Sequence, residues 1–188
     1  MRWMNRALGF AAAAFLGIGS VPSAMAAAVY QYSGLPFTNV TGVYTTADFV
    51  SGTITLSNPL AANLSGASIS ASILAYSFSD GHQTLSGVTP TVAVVSTNAS
   101  AIITAWAVGL GPFGAGGTPI CTTRGVGAGL CSIFANADFA TTAPATPGAS
   151  SGVSLSPGAW TLVPEPASGI LLALGLAPFF LVRRRRAG

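Results

Sequence analysis

The chain has 188 residues, with seven arginines, four acidic residues and no lysine, which gives a net charge of +3. Six of the arginines lie in the first six or the last six residues, so the 137 residues from Ala27 to Val163 hold three aspartates and one arginine, a net charge of −2. This region has no basic patch that would neutralise phosphates, which excludes a nucleic-acid-binding function. It is long enough to bury one hydrophobic core, so we expect a single domain held without a cofactor or a structural metal ion.

Residues 1–26 have the pattern of a secretory signal peptide. They contain, in order, a positive region, a short apolar stretch and a cleavage pattern of small residues: Arg2 and Arg6, Leu8 to Val21, and Ala24 with Ala26. The apolar stretch is too short to span a bilayer comfortably. The alternative is an N-terminal membrane anchor that is never cut, which the small residues of the cleavage pattern do not favour.

Alternation of apolar and polar residues predicts β-strands in the region that follows. From Val50 to Ser57, apolar side chains fall on one face while serine and threonine fall on the other, which is typical of a half-buried strand. A second run from Ser68 to Ser79 changes parity at Ile73-Leu74, which indicates a bulge or a bend.

Two hairpins are predicted next. Asp80-Gly81 suits the positive φ of a tight turn, and the returning strand is expected to begin between His82 and Leu85. A further pair joins a strand at Thr91–Ser96 to one at Ala101–Val108, in which Trp106 is expected to face the core. The weaker strand candidates are Ser132–Phe139 and Trp160–Val163.

Short strands separated by glycine and asparagine turns predict an all-β fold, an antiparallel β-sandwich or a jelly-roll-like domain over residues 27–140. The straight-chain residues that favour long helices are scarce. No repeat of fixed period supports a β-helix. Residues 141–162 are rich in proline, alanine, serine and glycine and are predicted to form a loop or linker.

The two cysteines, Cys121 and Cys131, flank a glycine-rich stretch. In an exported protein such a pair is most simply a disulfide that closes a surface loop. A redox pair and a metal site are the alternatives. The metal site is poorly supported, because two cysteines and one distant histidine do not make a four-ligand set of usual spacing.

The C-terminal 26 residues, 163–188, combine three features. A short motif precedes an apolar run from Ala167 to Val182, which is followed by a basic cluster. The motif is Val163, Pro164, Glu165 and Pro166, and the cluster is Arg183, Arg184, Arg185 and Arg186. A helix over the apolar run would be about 24 Å long against a hydrocarbon core of about 30 Å, which predicts a short transmembrane helix with its arginines in the cytoplasm.

This order resembles the PEP-CTERM sorting signal of exported proteins in Gram-negative bacteria. The resemblance implies export through the secretion translocon and signal peptidase, a transient stay in the inner membrane, processing by an exosortase-type transpeptidase, and delivery to the cell surface or an exopolysaccharide matrix. A permanent single-pass anchor is the alternative. The stretches Tyr30–Phe37, Val50–Leu56 and Phe78-Ser79-Asp80-Gly81 also resemble a β-rich body found in PEP-CTERM proteins of unknown function, which brings no catalytic residues.

Few residues have the chemistry that catalysis requires. Ser79, Asp80 and His82 are the types of a hydrolytic triad, but neighbours in a tight turn rarely converge as a triad requires, so a solvated hairpin tip is the preferred interpretation. A glycosidase would need two of the aspartates, Asp48, Asp80 and Asp138, within roughly 5 to 10 Å of each other. We therefore expect no enzymatic activity, with a secreted hydrolase as the remote alternative.

A carbohydrate-binding module is the closer alternative, since sugars stack on flat aromatic rings. Tyr30, Tyr32 and Tyr44 are expected to be partly exposed. The sequence as a whole predicts a noncatalytic secreted or cell-surface β-sandwich protein associated with the envelope or an exopolysaccharide matrix.

Overall fold

The computed structural model describes residues 27–114, 117–126, 131, 135–142 and 150–164. The predicted signal peptide, with its cleavage residues Ala24 and Ala26, lies outside these described residues.

Twelve β-strands and one short 3₁₀ turn, Ser70–Ser72, form within the described residues. In chain order the strands are β1 Ala28–Ser33, β2 Asn39–Thr41, β3 Ser51–Leu56, β4 Ala67–Ser68, β5 Ile73–Ser79, β6 Thr84–Gly87, β7 Val92–Thr97, β8 Ile103–Leu110, β9 Ile120–Arg124, β10 Asn136–Thr142, β11 Ser150–Ser154 and β12 Ala159–Val163.

The strands form two antiparallel sheets. The first sheet has the order β12-β1-β3-β5-β6, and the second has the order β2-β11-β10-β9-β8-β7-β4. Their inner faces share one hydrophobic core, in which Tyr32 of the first sheet meets Trp106 of the second with ring centroids 5.9 Å apart. The predicted all-β sandwich is therefore confirmed.

The strand predicted from Val50 to Ser57 forms as β3, in which Ile54 and Leu56 are buried and the other residues are half-buried. The run predicted from Ser68 to Ser79 is a strand only from Ile73, because a 3₁₀ turn at Ser70–Ser72 separates β5 from β4. The parity change predicted at Ile73-Leu74 is a bulge, because Leu56 pairs with Ile73 and Thr55 pairs with Ala75, which leaves Leu74 without an opposite residue.

Both predicted hairpins are present. β5 returns as β6 across a four-residue loop, residues 80–83, in which Gly81 has a φ of +97°. β7 returns as β8 with Thr97 opposite Ile103. In that turn the Asn98 side chain accepts hydrogen bonds from the backbone N–H groups of Ser100 and Ile102, which satisfies donors that the ladder leaves free.

A loop or linker over the whole of 141–162 is wrong, since β11 and most of β12 lie within it, and the strand candidate Trp160–Val163 forms as part of β12. Within the described part of this segment, Gly152 is needed for packing. A side chain at Gly152 of β11 would overlap the buried ring of Phe37. Trp160 of β12 enters the core, with its ring centroid 5.0 Å from that of Tyr32. The composition that indicated a loop therefore belongs partly to strands that pack closely on aromatic rings.

The two ends of the described domain lie side by side. β12 is an edge strand and pairs with β1, with Val29 opposite Val163 and Ser33 opposite Ala159. The chain therefore enters the domain and leaves it at the same end of the first sheet. We call this the terminal end of the sandwich, and the end that carries Ser33, Ser51 and Ser79 the distal end.

Candidate functional site

Tyr32 lies at the centre of an aromatic cluster between the sheets. Its ring centroid is 5.0 Å from that of Trp160, 5.9 Å from that of Trp106 and 6.4 Å from that of Phe78. Such tilted and edge-on pairs add stability beyond the apolar area that they bury. The cluster joins both sheets and is a structural core feature. The prediction that Trp106 faces the core is confirmed, since it is 1% exposed.

The prediction that three tyrosines are partly exposed is wrong. Tyr30, Tyr32 and Tyr44 are all buried, at 5%, 0% and 4% exposure. In β1 the two tyrosines alternate with the exposed residues Gln31 and Ser33, so both face the core. Each hydroxyl has a partner. The Tyr30 hydroxyl accepts a hydrogen bond from the Leu60 N–H at 2.9 Å, so burial leaves no polar atom unsatisfied there.

Asp138 is a buried carboxylate paired with Tyr32. The Tyr32 hydroxyl donates to Asp138 Oδ1 at 2.6 Å and accepts from the Gly158 N–H at 2.7 Å. Asp138 is 0% exposed, and this burial raises its pKa to about 6, while the hydrogen bonds of the Tyr32 and Thr122 hydroxyls act in the opposite direction. Asp138 Oδ2 has no hydrogen-bond partner among the described residues.

The Tyr32 phenol keeps its proton in this pair. Burial raises the pKa of Tyr32 above its usual range, and the neighbouring charge of Asp138 raises it further. Tyr32 is therefore a fixed donor that links β1, β10 and the turn before β12. Sequence reasoning missed the pair because 106 positions separate the two residues and neither lies in a recognisable motif.

Asp80 organises the loop at residues 80–83. Its Oδ1 accepts from the N–H groups of His82 and Gln83 at 2.8 and 2.9 Å. Its Oδ2 accepts from the Tyr44 hydroxyl at 2.6 Å and from Gln83 Nε2 at 2.9 Å. Gln83 Nε2 also donates to the Thr141 carbonyl of the second sheet at 2.8 Å. The prediction of a solvated hairpin tip is therefore wrong for Asp80, which is fully buried and fully engaged.

Asp48 and His82 form a partly exposed pair at the distal end. His82 Nε2 lies 3.1 Å from Asp48 Oδ2, and the side chains are 31% and 19% exposed, respectively. Hydrogen bonds from the Thr45 backbone N–H, and then from His82, hold the pKa of Asp48 below its usual range. Among the described residues no serine or threonine hydroxyl is hydrogen-bonded to His82. The pair orients the loop, and the described part of the chain gives it no nucleophile to activate.

The predicted disulfide forms between Cys121 and Cys131, with Cα atoms 5.8 Å apart. Cys121 lies in β9, and Cys131 follows the glycine-rich stretch of the sequence. Arg124 ends β9, and its guanidinium lies 5.6 Å from the centre of the Trp106 ring, which is a cation–π contact. The redox and metal alternatives gain no support, and within the described residues no three His, Cys, Asp or Glu side chains lie where they could share a metal ion.

An apolar groove opens at the side of the sandwich. It has a volume of about 340 Å³ and is lined by Tyr30 and by residues 59–60, 100–103 and 160–162. None of these residues is charged. The buried Nε1 atom of Trp160, a lining residue, has no hydrogen-bond acceptor among the described residues. The volume falls in the range of about 300 to 1,000 Å³ that is usual for small-molecule sites.

The predicted sorting motif is only partly within the described residues. Val163 ends β12 and Pro164 follows it, whereas Glu165, Pro166 and the basic cluster Arg183, Arg184, Arg185 and Arg186 lie outside. The apolar run from Ala167 to Val182 also lies outside. Among the described residues there is no helix of sufficient length and hydropathy to cross a membrane.

Comparison with protein-family models, with curated proteins and with solved structures finds no match to this chain. By their geometry, three groups of residues are candidate sites: the buried Tyr32–Asp138 pair, the Asp80 loop with the Asp48–His82 pair, and the apolar groove. The sequence pointed to Asp80 and His82 by residue type, but no sequence signal marked the groove, because it is built from four segments far apart in the chain.

Proposed function

We propose that this chain is a noncatalytic exported protein that is sorted through its C-terminus by an exosortase-type transpeptidase and acts at the cell surface or in an exopolysaccharide matrix. One observation carries the proposal: Val163-Pro164-Glu165-Pro166, an apolar run and four arginines follow one another in this order at the end of the chain. Glu165 is expected at the outer membrane interface, because a carboxylate within the apolar layer is costly.

The position of the motif relative to the domain supports this proposal. β12 ends at Val163, so Pro164 follows directly after the last strand that the structure describes. Removal of the chain after Pro166 would take away none of the twelve strands. A domain complete before its sorting segment can therefore be released without losing its core.

The environment of the acidic residues supports a noncatalytic role. Asp80 and Asp138 are both 0% exposed, and their hydrogen bonds to Tyr44 and Tyr32 fix them inside the fold. A glycosidase with two catalytic carboxyl groups needs both of them within reach of the substrate. Asp48 is the remaining carboxylate of the region between Ala27 and Val163, and it is bonded to Thr45 and His82.

The carbohydrate-binding alternative rested on exposed tyrosine rings, and those rings are buried. Loss of glycan binding on replacing Tyr32 or Tyr44 would therefore report damage to the core rather than a sugar platform. We retain the matrix as a destination of the protein and assign no sugar to these side chains.

Intact mass spectrometry of protein recovered from its native host tests the sorting proposal. The wild type is expected to lack residues 1–26 and the tail beyond the motif, whereas a Glu165→Ala, Pro166→Ala variant keeps Arg183 to Arg186. A Ser156→Ala, Pro157→Ala variant is the matched control, since it changes two residues just before β12, and it is expected to be processed like the wild type. Retention of the arginines in all three proteins would identify a permanent anchor and refute sorting.

A further inference from the structure

The apolar groove reaches from the surface into the core. Tyr30, Leu60, Ile103 and Trp160 line it and also line a smaller space between the two sheets. At its mouth Ile102 and Leu162 are 56% and 54% exposed. Large apolar side chains exposed beside an apolar cavity are typical of a binding surface.

The groove lies where the domain connects to its terminal segments. Leu162 is two residues from Pro164, and Tyr30 is four residues from Ala26. Because Val29 pairs with Val163, both connections leave from the terminal end of the first sheet. The acidic groups lie elsewhere: Asp48 and Asp80 are at the distal end, and Asp138 contacts Tyr32 and lies against Gly34.

We propose that this groove binds one acyl chain of a membrane lipid. The inference rests on the proposed membrane insertion of residues 167–182. Leu162 precedes that segment by only a few residues, so insertion would hold the groove close to the bilayer surface. A lining without charges suits a hydrocarbon chain, and burial of each CH₂ group from water is favourable.

A lipid fits the groove better than a sugar. Apart from the tyrosine and tryptophan rings, the polar side chains of the lining are Ser100 and Thr161, too few to hold the hydroxyls of a sugar. The remaining side chains of the lining are apolar, and the two at its mouth, Ile102 and Leu162, are aliphatic and exposed.

The test is photo-crosslinking of the full chain in phosphatidylcholine vesicles that contain a trace of phosphatidylcholine with a diazirine in its acyl chain. After irradiation, lipid adducts are assigned to peptides by mass spectrometry. We expect adducts at residues 100–103 and 160–162, at least ten-fold above those around Leu35, a 48% exposed leucine that follows the distal end of β1. Adducts in residues 1–26 and 167–182 report insertion of the terminal segments.

A matched pair of variants separates the groove from the surface in general. Leu162→Glu places a charge at the mouth and is expected to lower the groove adducts at least five-fold, with the tail adducts unchanged. Leu35→Glu, at a leucine of similar exposure, is expected to change neither the groove adducts nor the tail adducts. Tryptophan emission equal to that of the wild type establishes that both variants are folded.

Each contrary result overturns the proposal in a recognisable way. Adducts in the tail but not in the groove would refute lipid binding and leave the sorting proposal intact. Equal adducts around Leu35 would show unspecific contact with the vesicle. An unlabelled tail would refute membrane insertion, and the groove proposal with it. A change of oligomeric state of the lipid-free protein on Leu162→Glu, without a change of adducts, would identify a second copy as the occupant.

Discussion

Replacement of Asp138 by asparagine should change how the stability of the domain depends on pH. In the folded protein burial raises the pKa of Asp138 to about 6, from an ordinary value of 3.8. Between these two pH values the folded state binds more protons at this site than the unfolded state, so stability falls as pH rises. At about 1.4 kcal/mol for each unit of pKa difference, the free energy of unfolding above pH 6 is lower by about 3 kcal/mol than it is below pH 3.8.

Asparagine has the same shape as aspartate and still accepts the hydrogen bond from Tyr32, but it does not ionise. The free energy of unfolding of Asp138→Asn, relative to the wild type, should therefore rise by about 3 kcal/mol between pH 3.5 and pH 7.5. The measurement is urea unfolding of residues 27–164 at several pH values. Tryptophan fluorescence is the signal, since Trp106 and Trp160 are buried.

The difference between variant and wild type isolates Asp138 from the other titrating groups. Asp48→Asn is the control, because the pKa of Asp48 is lowered and its stabilising contribution is lost only as pH falls below 3.8. In that variant the difference from the wild type should change as pH falls below 3.8. A constant difference between Asp138→Asn and the wild type from pH 3.5 to pH 7.5 would refute the assignment of a raised pKa to this buried carboxyl.

Three further predictions concern the core and the disulfide. Tyr32→Phe should lower the free energy of unfolding by about 2 to 4 kcal/mol in urea titrations, because the Asp138 carboxylate and the Gly158 N–H lose their partner, while Tyr76→Phe should cost under about 1 kcal/mol. Reduction of the Cys121–Cys131 bond should cost about 2 to 3 kcal/mol in thermal unfolding with and without dithiothreitol, and a variant with both cysteines replaced by alanine should not respond. Gly109→Ala should destabilise the oxidised protein by about 1 to 3 kcal/mol, since the new methyl group meets the Cys131 sulfur. A smaller loss of stability in the variant without cysteines would confirm that contact, whereas equal losses of stability would contradict it.

Local patterns were sufficient for much of the fold. The alternation in β3, the parity change at Leu74 and the Asp80-Gly81 turn each depend on neighbouring residues, and each was predicted. The disulfide followed from the number and spacing of the cysteines. Such features carry their own sequence signals, because strand periodicity and turn chemistry act over a few residues.

Features that depend on distant contacts were not predictable in this way. Proline and serine around residues 150–158 indicated a loop, yet the segment forms β11 and reaches β12, because Phe37 and Tyr32 supply the apolar surfaces on which it packs. The tyrosines of β1 were expected to be partly exposed, and they are buried. Asp138 makes burial of the Tyr32 hydroxyl possible, and only the fold brings that carboxylate to it.

The pairing of β1 with β12 has a consequence for how the domain folds. β12 is the last strand of the described chain to be synthesised, yet its only neighbour in the sheet is the first strand, β1. Contacts between residues so far apart in sequence form slowly, because closing the long intervening chain costs conformational entropy. The first sheet stays incomplete until residue 163 is available to pair, so under the proposed export the final strand would arrive together with the motif at residues 163–166.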